Sequence, residues 1–573
     1  MDSTFLISEL PGFIRQTLEL WHVPGTAVAV VKDGQVILCE GFGLRNMSKD
    51  LPVTADTLFP IASCTKAFTA MSIGLLVDEG KLEWDKPLRD YLPTFKLQDN
   101  FASEHMTPRD LLCHRSGLLR HDLLWVASNF KRKEMFDRLR YLEPNRDFRS
   151  TYQYQNIMYM VAGFLVEEVS GMPWEDFVKQ RIFDVVDMPR TNTSTSATQK
   201  DANHSRPYMF HHDQLKEIPF FEADESRGTG PAGAIVSCVS EMARWLVVHT
   251  NGGKIGDKQF ISAYNLAEMH KPHIFTDDVQ ERLRFGFEFS SYGLGWFMNS
   301  NKGQVLVWHS GHIDGFSSLV SFLPRHNLGV VVLSNGNGEY IPNTISYTIY
   351  DHLLGLEPTN WNAKYKELHD EILNAEDQSK QQTALEKRQV PPSHPIDDYL
   401  GEYEHPGYGI YSIRKYGDTL QLVANDKMVL ALEYYHYDIF NATHETIYYP
   451  LVLSFNTDFK GNIAGFYTQL EPMVKKIYFT RLADRRLSDV AYLERFTGQY
   501  EYLEQPLMVF LKEGKLFASI PGQEFELIPY QGTEFTLKGM TGFSIAFKQD
   551  ENKRYSEVVV TEPGMVSISK RKG

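Results

Sequence analysis

A serine and a lysine three positions apart can form a nucleophile and its base, provided the lysine has lost its charge. A serine hydroxyl attacks a carbonyl only when a neighbouring group takes its proton. On a helix, position i+3 lies one turn away on the same face, and burial disfavours the ammonium form of lysine. The Ser-x-x-Lys pattern recurs along the chain, among other places at Ser63…Lys66, Ser128…Lys131 and Ser567…Lys570. Ser567 lies in a terminal β-rich run and Ser128 in a mixed polar segment. Only Ser63 follows a strand-like run, Thr57-Leu-Phe-Pro-Ile-Ala, and opens a stretch over 63–80 that is apolar on nearly every face, the pattern of a buried helix. The N-terminus of that helix adds free N–H groups and a positive field where an oxyanion would form. The competing reading makes Ser63 an N-cap and Lys66 a snorkelling surface lysine.

Two further short motifs bear on the choice. In Tyr154-Gln-Asn156, a phenol held near a lysine can shuttle a proton and an amide can orient substrate and lysine together. In His309-Ser-Gly311, at the end of a strand-like run, a small residue beside the nucleophile lets a substrate backbone dock and brings a second N–H donor. Neither motif is informative alone. The chain has no Gly-x-Ser-x-Gly elbow, no His-Glu-x-x-His and no P-loop. His204, His211 and His212 cluster in sequence without a carboxylate at ligand spacing, so they read as surface or satisfied core residues. No metal and no cofactor are expected.

The order Ser-x-x-Lys, Tyr-x-Asn, His-x-Gly resembles the serine penicillin-recognising hydrolases, in particular their class C β-lactamase-like branch with its D-aminopeptidases, amidases, DD-carboxypeptidases and esterases. Supporting stretches are Glu79-Gly-Lys-Leu with Asp85-Lys-Pro-Leu, Thr107-Pro-Arg-Asp-Leu-Leu-Cys-His-Arg-Ser-Gly117-Leu, and Gly230-Pro-Ala-Gly233-Ala. The resemblance covers about residues 10–356. It implies that Ser63 is the acylated nucleophile and that Lys66 and Tyr154 share the proton work. Asn156 would orient the substrate amide, Gly311 would lie against the substrate, and the backbone N–H groups of Ser63 and His312 would form an oxyanion hole.

His309 stands where many members carry lysine. A lysine would hold a substrate carboxylate, whereas a histidine of ordinary pKa is mostly neutral near pH 7. The expectation is therefore a serine hydrolase working through an acyl-enzyme on small amides, peptides that include D-residues, or esters. The alternatives are a β-lactamase or penicillin-binding carboxypeptidase, and an inactive binding scaffold.

The elements that must position these residues are partly legible. Residues 1–20 carry Phe5, Leu6, Leu10, Phe13, Ile14 and Leu18 at helical spacing. Thr26–Val31 and Gln35–Glu40, joined by Lys32-Asp33-Gly34, predict a hairpin. Strand-like runs return at Gln304–His309, Phe316–Leu323 and Leu328–Ser334, before a helical run over Ile345–Leu354. Strands at both ends with helices between them predict an α+β domain over 1–358. Its antiparallel sheet would be completed by both ends of the segment, flanked by helices and a helical subdomain.

Residues 359–394 are polar and end in Val-Pro-Pro-Ser-His-Pro, which reads as a partly helical linker. Beyond 395, short β-rich runs, aromatics and glycine turns predict all-β structure. Tyr399-Leu-Gly401-Glu-Tyr403 returns 97 residues later as Phe496-Thr-Gly498-Gln-Tyr500. This predicts two related β units, 395–490 and 491–573, either as two barrels or as two halves of one; they resemble the lipocalin-like modules appended to some D-aminopeptidases.

Composition excludes other classes. Hydrophobic residues at 42% and charged residues at 23% are ordinary globular usage, and a net charge of −15 argues against nucleic-acid or anionic-membrane partners. Four scattered cysteines form no disulfide framework. The first residues lack a basic n-region and no apolar run approaches membrane-spanning length, so a cytoplasmic location is expected. The expected partner is a small molecule or short peptide, with self-association through the C-terminal modules as a second possibility.

Overall fold

The computed structural model describes residues 4–211, 214–221, 228–276, 279–338, 340–385, 388–444, 447–471, 473–520 and 522–572. His212, one of the clustered histidines, lies outside the described residues. The chain divides into two compact units: Met1–Glu386 with Glu471–Lys475, and Lys387–Leu470 with Lys476–Gly573.

The first unit is built on a nine-stranded antiparallel sheet. Its strands in chain order are β1 (Gly25–Lys32), β2 (Gln35–Asn46), β3 (Leu51–Pro52), β4 (Ile274–Phe275), β5 (Ser290–Tyr292), β6 (Phe297–Asn301), β7 (Gln304–Ile313), β8 (Phe316–Leu323) and β9 (Leu328–Ser334). The spatial order is β4-β5-β6-β7-β8-β9-β1-β2-β3. The last three strands of the chain segment are thus stitched to its first three, with Val28 opposite Val332 and Val30 opposite Val330.

β1 and β9 are uninterrupted apolar runs because both of their faces are covered. On one face Val28, Val30, Val330 and Val332 pack with Leu10 and Ile14 of helix α1 (Leu10–Leu20) and Ile341 and Ile345 of a helix near the end of this segment (Tyr340–Leu353). On the other face Gly329 receives Leu246, from the helix Val239–Thr250; a Cβ at Gly329 would lie 2.6 Å from its Cδ2. The expected amphipathic segment over 1–20 is broken into Thr4–Ser8 and α1, with Pro11 in the first turn of α1.

Two buried helices position the Ser63–Lys66 and Tyr154–Asn156 motifs. Helix α2 (Thr65–Asp78) is buried from Thr65 through Leu76, as its lack of a polar face requires. Helix α3 (Ile157–Ser170) is buried from Ile157 through Val166 and ends at Gly171 in the left-handed conformation.

The segment read as a linker is largely one helix, α4 (Trp361–Leu385). Its first turn belongs to the core of the first unit. Trp361 and Tyr365, one turn apart, are buried beside Phe285 and Tyr347, and Trp361 Nε1 donates to Asp351 Oδ2 at 2.9 Å.

In the second unit, residues 401–481 and 498–572 form two separate closed barrels of eight antiparallel strands each. The 97-residue repeat marks the closure of each barrel. Tyr403 pairs with Arg481 and Tyr500 with Arg571, joining first strand to last. Tyr403 donates to the Tyr399 carbonyl at 2.8 Å, and Tyr500 to the Phe496 carbonyl at 3.0 Å.

Among the described residues no helix is long and apolar enough to cross a membrane. All four cysteines are free thiols, and Cys64, Cys113 and Cys238 are buried.

Candidate active site

Ser63 sits in a single 3-10 turn, Ala62–Cys64, that runs directly into α2. The turn is entered through Ala62, whose φ of 45° is costly for a residue with a Cβ. Neighbouring segments hold it. Ile61 N–H donates to the Ile235 carbonyl at 2.9 Å, Ile235 N–H donates to Thr65 Oγ1 at 3.1 Å, and Ser318 Oγ donates to the Ile61 carbonyl at 2.8 Å. Ser63 itself stays half-buried and reachable.

Lys66 is fully buried, which removes the snorkelling alternative. Its Nζ lies 3.0 Å from Ser63 Oγ, 2.9 Å from Asn156 Oδ1 and 2.9 Å from the Ala232 carbonyl. Burial drives its pKa well below the ordinary lysine value and the Arg120 charge adds to this, while Asp122 and Cys64 oppose it. A neutral amine has two N–H groups and one lone pair. Asn156 Oδ1 and the Ala232 carbonyl can only accept, so they take both N–H groups. As the ammonium, Lys66 donates to Ser63 Oγ as well; in the neutral form the lone pair is left for Ser63 O–H, the geometry a general base needs.

Tyr154 and Asn156 lie on the segment that leads into α3, with Asn156 as its N-cap. His114 clamps that segment: its carbonyl accepts from Gln153 N–H at 2.8 Å and its Nδ1 from Gln155 N–H at 3.2 Å. Lys66 Nζ stands 4.8 Å from the Tyr154 ring centroid. Burial pushes the Tyr154 phenol up, while its hydrogen bond with Ser63 and the Arg120 charge act against that. Ala232 is delivered by the short helix Gly230–Gly233, packed so closely on α3 that a Cβ at Gly163 would lie 2.1 Å from Pro231 Cγ.

β7 borders Ser63. Its pairing with β6 stops at Trp308, so from His309 onward that edge faces the Ser63 turn rather than a strand. A Cβ at Gly311 would stand 2.1 Å from the Ile61 carbonyl oxygen and 3.0 Å from Ser63 N; only glycine lets the strand approach. His312 follows at the exposed end of the strand.

His309 is buried. Its Nδ1 lies 2.6 Å from the Ser310 carbonyl, which can only accept, so Nδ1 carries the proton. Nε2 then accepts from Tyr292 O–H at 2.9 Å. Burial and the neighbouring Lys66 push its pKa down to about 3, so it is neutral.

The structure thus gathers Ser63, Lys66, Tyr154, Asn156, His309 and Gly311 around one point. Sequence reading did not single out Ala232, His114, Arg120, Asp122 or Tyr292. Ala232 and His114 lay inside stretches quoted only for likeness, and nothing in the sequence marked the other three. Among the described residues no group of three or more His, Cys, Asp or Glu side chains could hold a metal ion.

The family model described as Beta-lactamase matches residues 12–345, and a domain of unknown function, DUF3471, matches residues 385–481. Unguisins hydrolase ungD' of Aspergillus campestris is 29% identical over 421 residues, covering 69% of this chain and 75% of that protein. Unguisins hydrolase ungD of Aspergillus violaceofuscus is 26% identical over 497 residues, covering 77% of this chain and 84% of that protein. The octameric penicillin-binding protein homologue from Pyrococcus abyssi superposes with a TM-score of 0.55 at 22% identity, over 90% of this chain and 99% of that one, a likeness of fold.

Proposed function

This chain belongs to the Beta-lactamase family, and from that premise we propose that it is a serine hydrolase that forms an acyl-enzyme on Ser63 with small amide, peptide or ester substrates. The observation that carries the reading is the hydrogen-bond arithmetic at Lys66. Two acceptor-only groups lie within hydrogen-bond reach of its Nζ, and the third neighbour, 3.0 Å away, is the serine hydroxyl, to which the neutral amine can turn its lone pair.

In the proposed reaction Ser63 Oγ attacks the substrate carbonyl as its proton passes to Lys66 Nζ. The negative charge that develops on the carbonyl oxygen is met by the N–H groups of Ser63 and His312. The leaving group takes its proton from Lys66 or Tyr154, and water then hydrolyses the ester by the reverse proton path.

The substrate class follows from His309. A neutral imidazole with both nitrogens engaged offers no fixed charge to a carboxylate. Arg120 is the cation at this site, and Asp122 and Glu471 offset it. Substrates without an obligatory carboxylate, among them esters, uncharged amides and peptides with D-residues, therefore fit better than β-lactams. The relatives named as unguisins hydrolases are in keeping with a hydrolase.

A fluorophosphonate probe should label Ser63, located by peptide mass mapping, and Ser63→Ala should remove both labelling and turnover. Full activity in Ser63→Ala, or labelling at another serine, would overturn the assignment. A cephalosporin turned over faster than p-nitrophenyl esters and amino-acid anilides would overturn the substrate class alone.

A further inference from the structure

We propose that Asp122 is a positioning residue of this site: it sets the orientation of the Asn156 amide and thereby aims the lone pair of Lys66 at Ser63. The inference rests on the hydrolase reading above. An ionised carboxylate can only accept hydrogen bonds. Asp122 Oδ1 receives Asn156 Nδ2 at 3.3 Å and Trp125 Nε1 at 2.9 Å, and Oδ2 receives Arg120 Nε at 2.6 Å. The end of the Asn156 amide that faces Asp122 must therefore be the NH2 group, so Oδ1 faces Lys66.

The opposite orientation would be unproductive. With Nδ2 turned toward it, Lys66 would have to use its lone pair to accept from Asn156, and Ser63 would lose its base. An amide is nearly symmetric in shape, so packing alone discriminates poorly between the two orientations. The acceptor-only group behind it decides.

Asp122 is itself held in place. Its backbone N–H donates to Glu471 Oε1 at 3.1 Å, and its Arg120 partner lies over the Tyr154 ring at 5.5 Å from the centroid. Asp122 also acts on Lys66 through its charge. The groups facing Lys66 are Arg120, Asp122 and Cys64, the rings of Tyr154 and Tyr159, and the neutral imidazoles of His114 and His309. Asp122 favours the ammonium and Arg120 disfavours it. Glu471 also faces Asp122.

Removing the Asp122 charge should therefore make Lys66 easier to deprotonate and at the same time release the amide. The test is the rate of fluorophosphonate labelling of Ser63 against pH in the full chain, for wild type, Asp122→Asn, Asp122→Glu and Arg120→Gln. In Asp122→Asn the acid limb is expected at lower pH while the plateau falls about 10- to 100-fold, the scale of a misplaced catalytic group. Arg120→Gln is expected to move the limb to higher pH, and Asp122→Glu, which keeps an acceptor-only group, to recover part of the plateau.

General loosening of the fold would lower the plateau without moving the two limbs in opposite directions. A wild-type limb in both charge variants, or equal plateau losses in the Asn and Glu variants, would overturn the proposal. Wild-type chain left unlabelled at Ser63 would overturn the hydrolase reading, and this inference with it.

Discussion

Tyr292 donates its hydroxyl proton to Nε2 of His309 across 2.9 Å, and this bond decides what the residue at the usual lysine position can be. With Nδ1 donating to the Ser310 carbonyl, the imidazole has no nitrogen left to meet a substrate and no charge to offer. Tyr292→Phe leaves Nε2 buried without a donor. It should cost about 1–3 kcal/mol of stability, read from a urea midpoint.

His309→Lys places an ammonium beside the same phenol. If the neutral imidazole is what excludes carboxylates, kcat/KM for carboxylate-bearing esters should rise about tenfold relative to their methyl esters, the equivalent of roughly 1.4 kcal/mol. An unchanged ratio would count against His309 as the selector.

Acid should weaken the first unit through its buried histidines. Burial holds His309 and His270 down to about 3 and His273 down to about 4, and holds His114 and His249 well below their ordinary value. The unfolded chain takes up these protons from about pH 6.5 downward while the folded chain does not. The stability contribution is thus full above about pH 6.5 and is lost as pH falls toward the folded values, at about 1.4 kcal/mol per pH unit per histidine. His270→Gln should flatten the fall of Tm between about pH 6.5 and pH 4.

Gly311→Ala should separate the strand from the nucleophile. The added methyl carbon has 2.1 Å to the Ile61 carbonyl oxygen, so β7 or the Ser63 turn must move. Labelling of Ser63 should fall about 100-fold or more, with a Tm change of only a few degrees. Labelling at the wild-type rate would show that this approach does not matter to the chemistry.

Asp110 ties two arginines to the first unit. Its fully buried carboxylate accepts from Arg115 Nε at 2.5 Å, Arg149 Nη2 at 2.7 Å and Thr107 N–H at 2.9 Å. Asp110→Ala strands these donors and should cost about 3 kcal/mol. Arg149 is half-exposed, so Arg149→Ala should cost at most about 1 kcal/mol. Urea denaturation of both variants distinguishes the two magnitudes.

Local order along the chain settled much of this protein. The one-turn spacing of Ser63 and Lys66, the largely apolar helix that follows and the β-rich run at Thr26–Val31 are short-range patterns, because helix and strand periods are short-range, and the 97-residue repeat shows as the likeness of two short segments. Tertiary structure decided the rest, because the deciding contacts join segments far apart in sequence. Lys66 meets Asn156 and Ala232 across separations of 90 and 166 residues, and only there do acceptors fix which atom of the amine faces Ser63. The same holds for the choice between one barrel and two, made where Tyr403 pairs with Arg481 and Tyr500 with Arg571. It holds too for His309, whose charge is set by burial and by the phenol of Tyr292, neither of which its sequence neighbours specify.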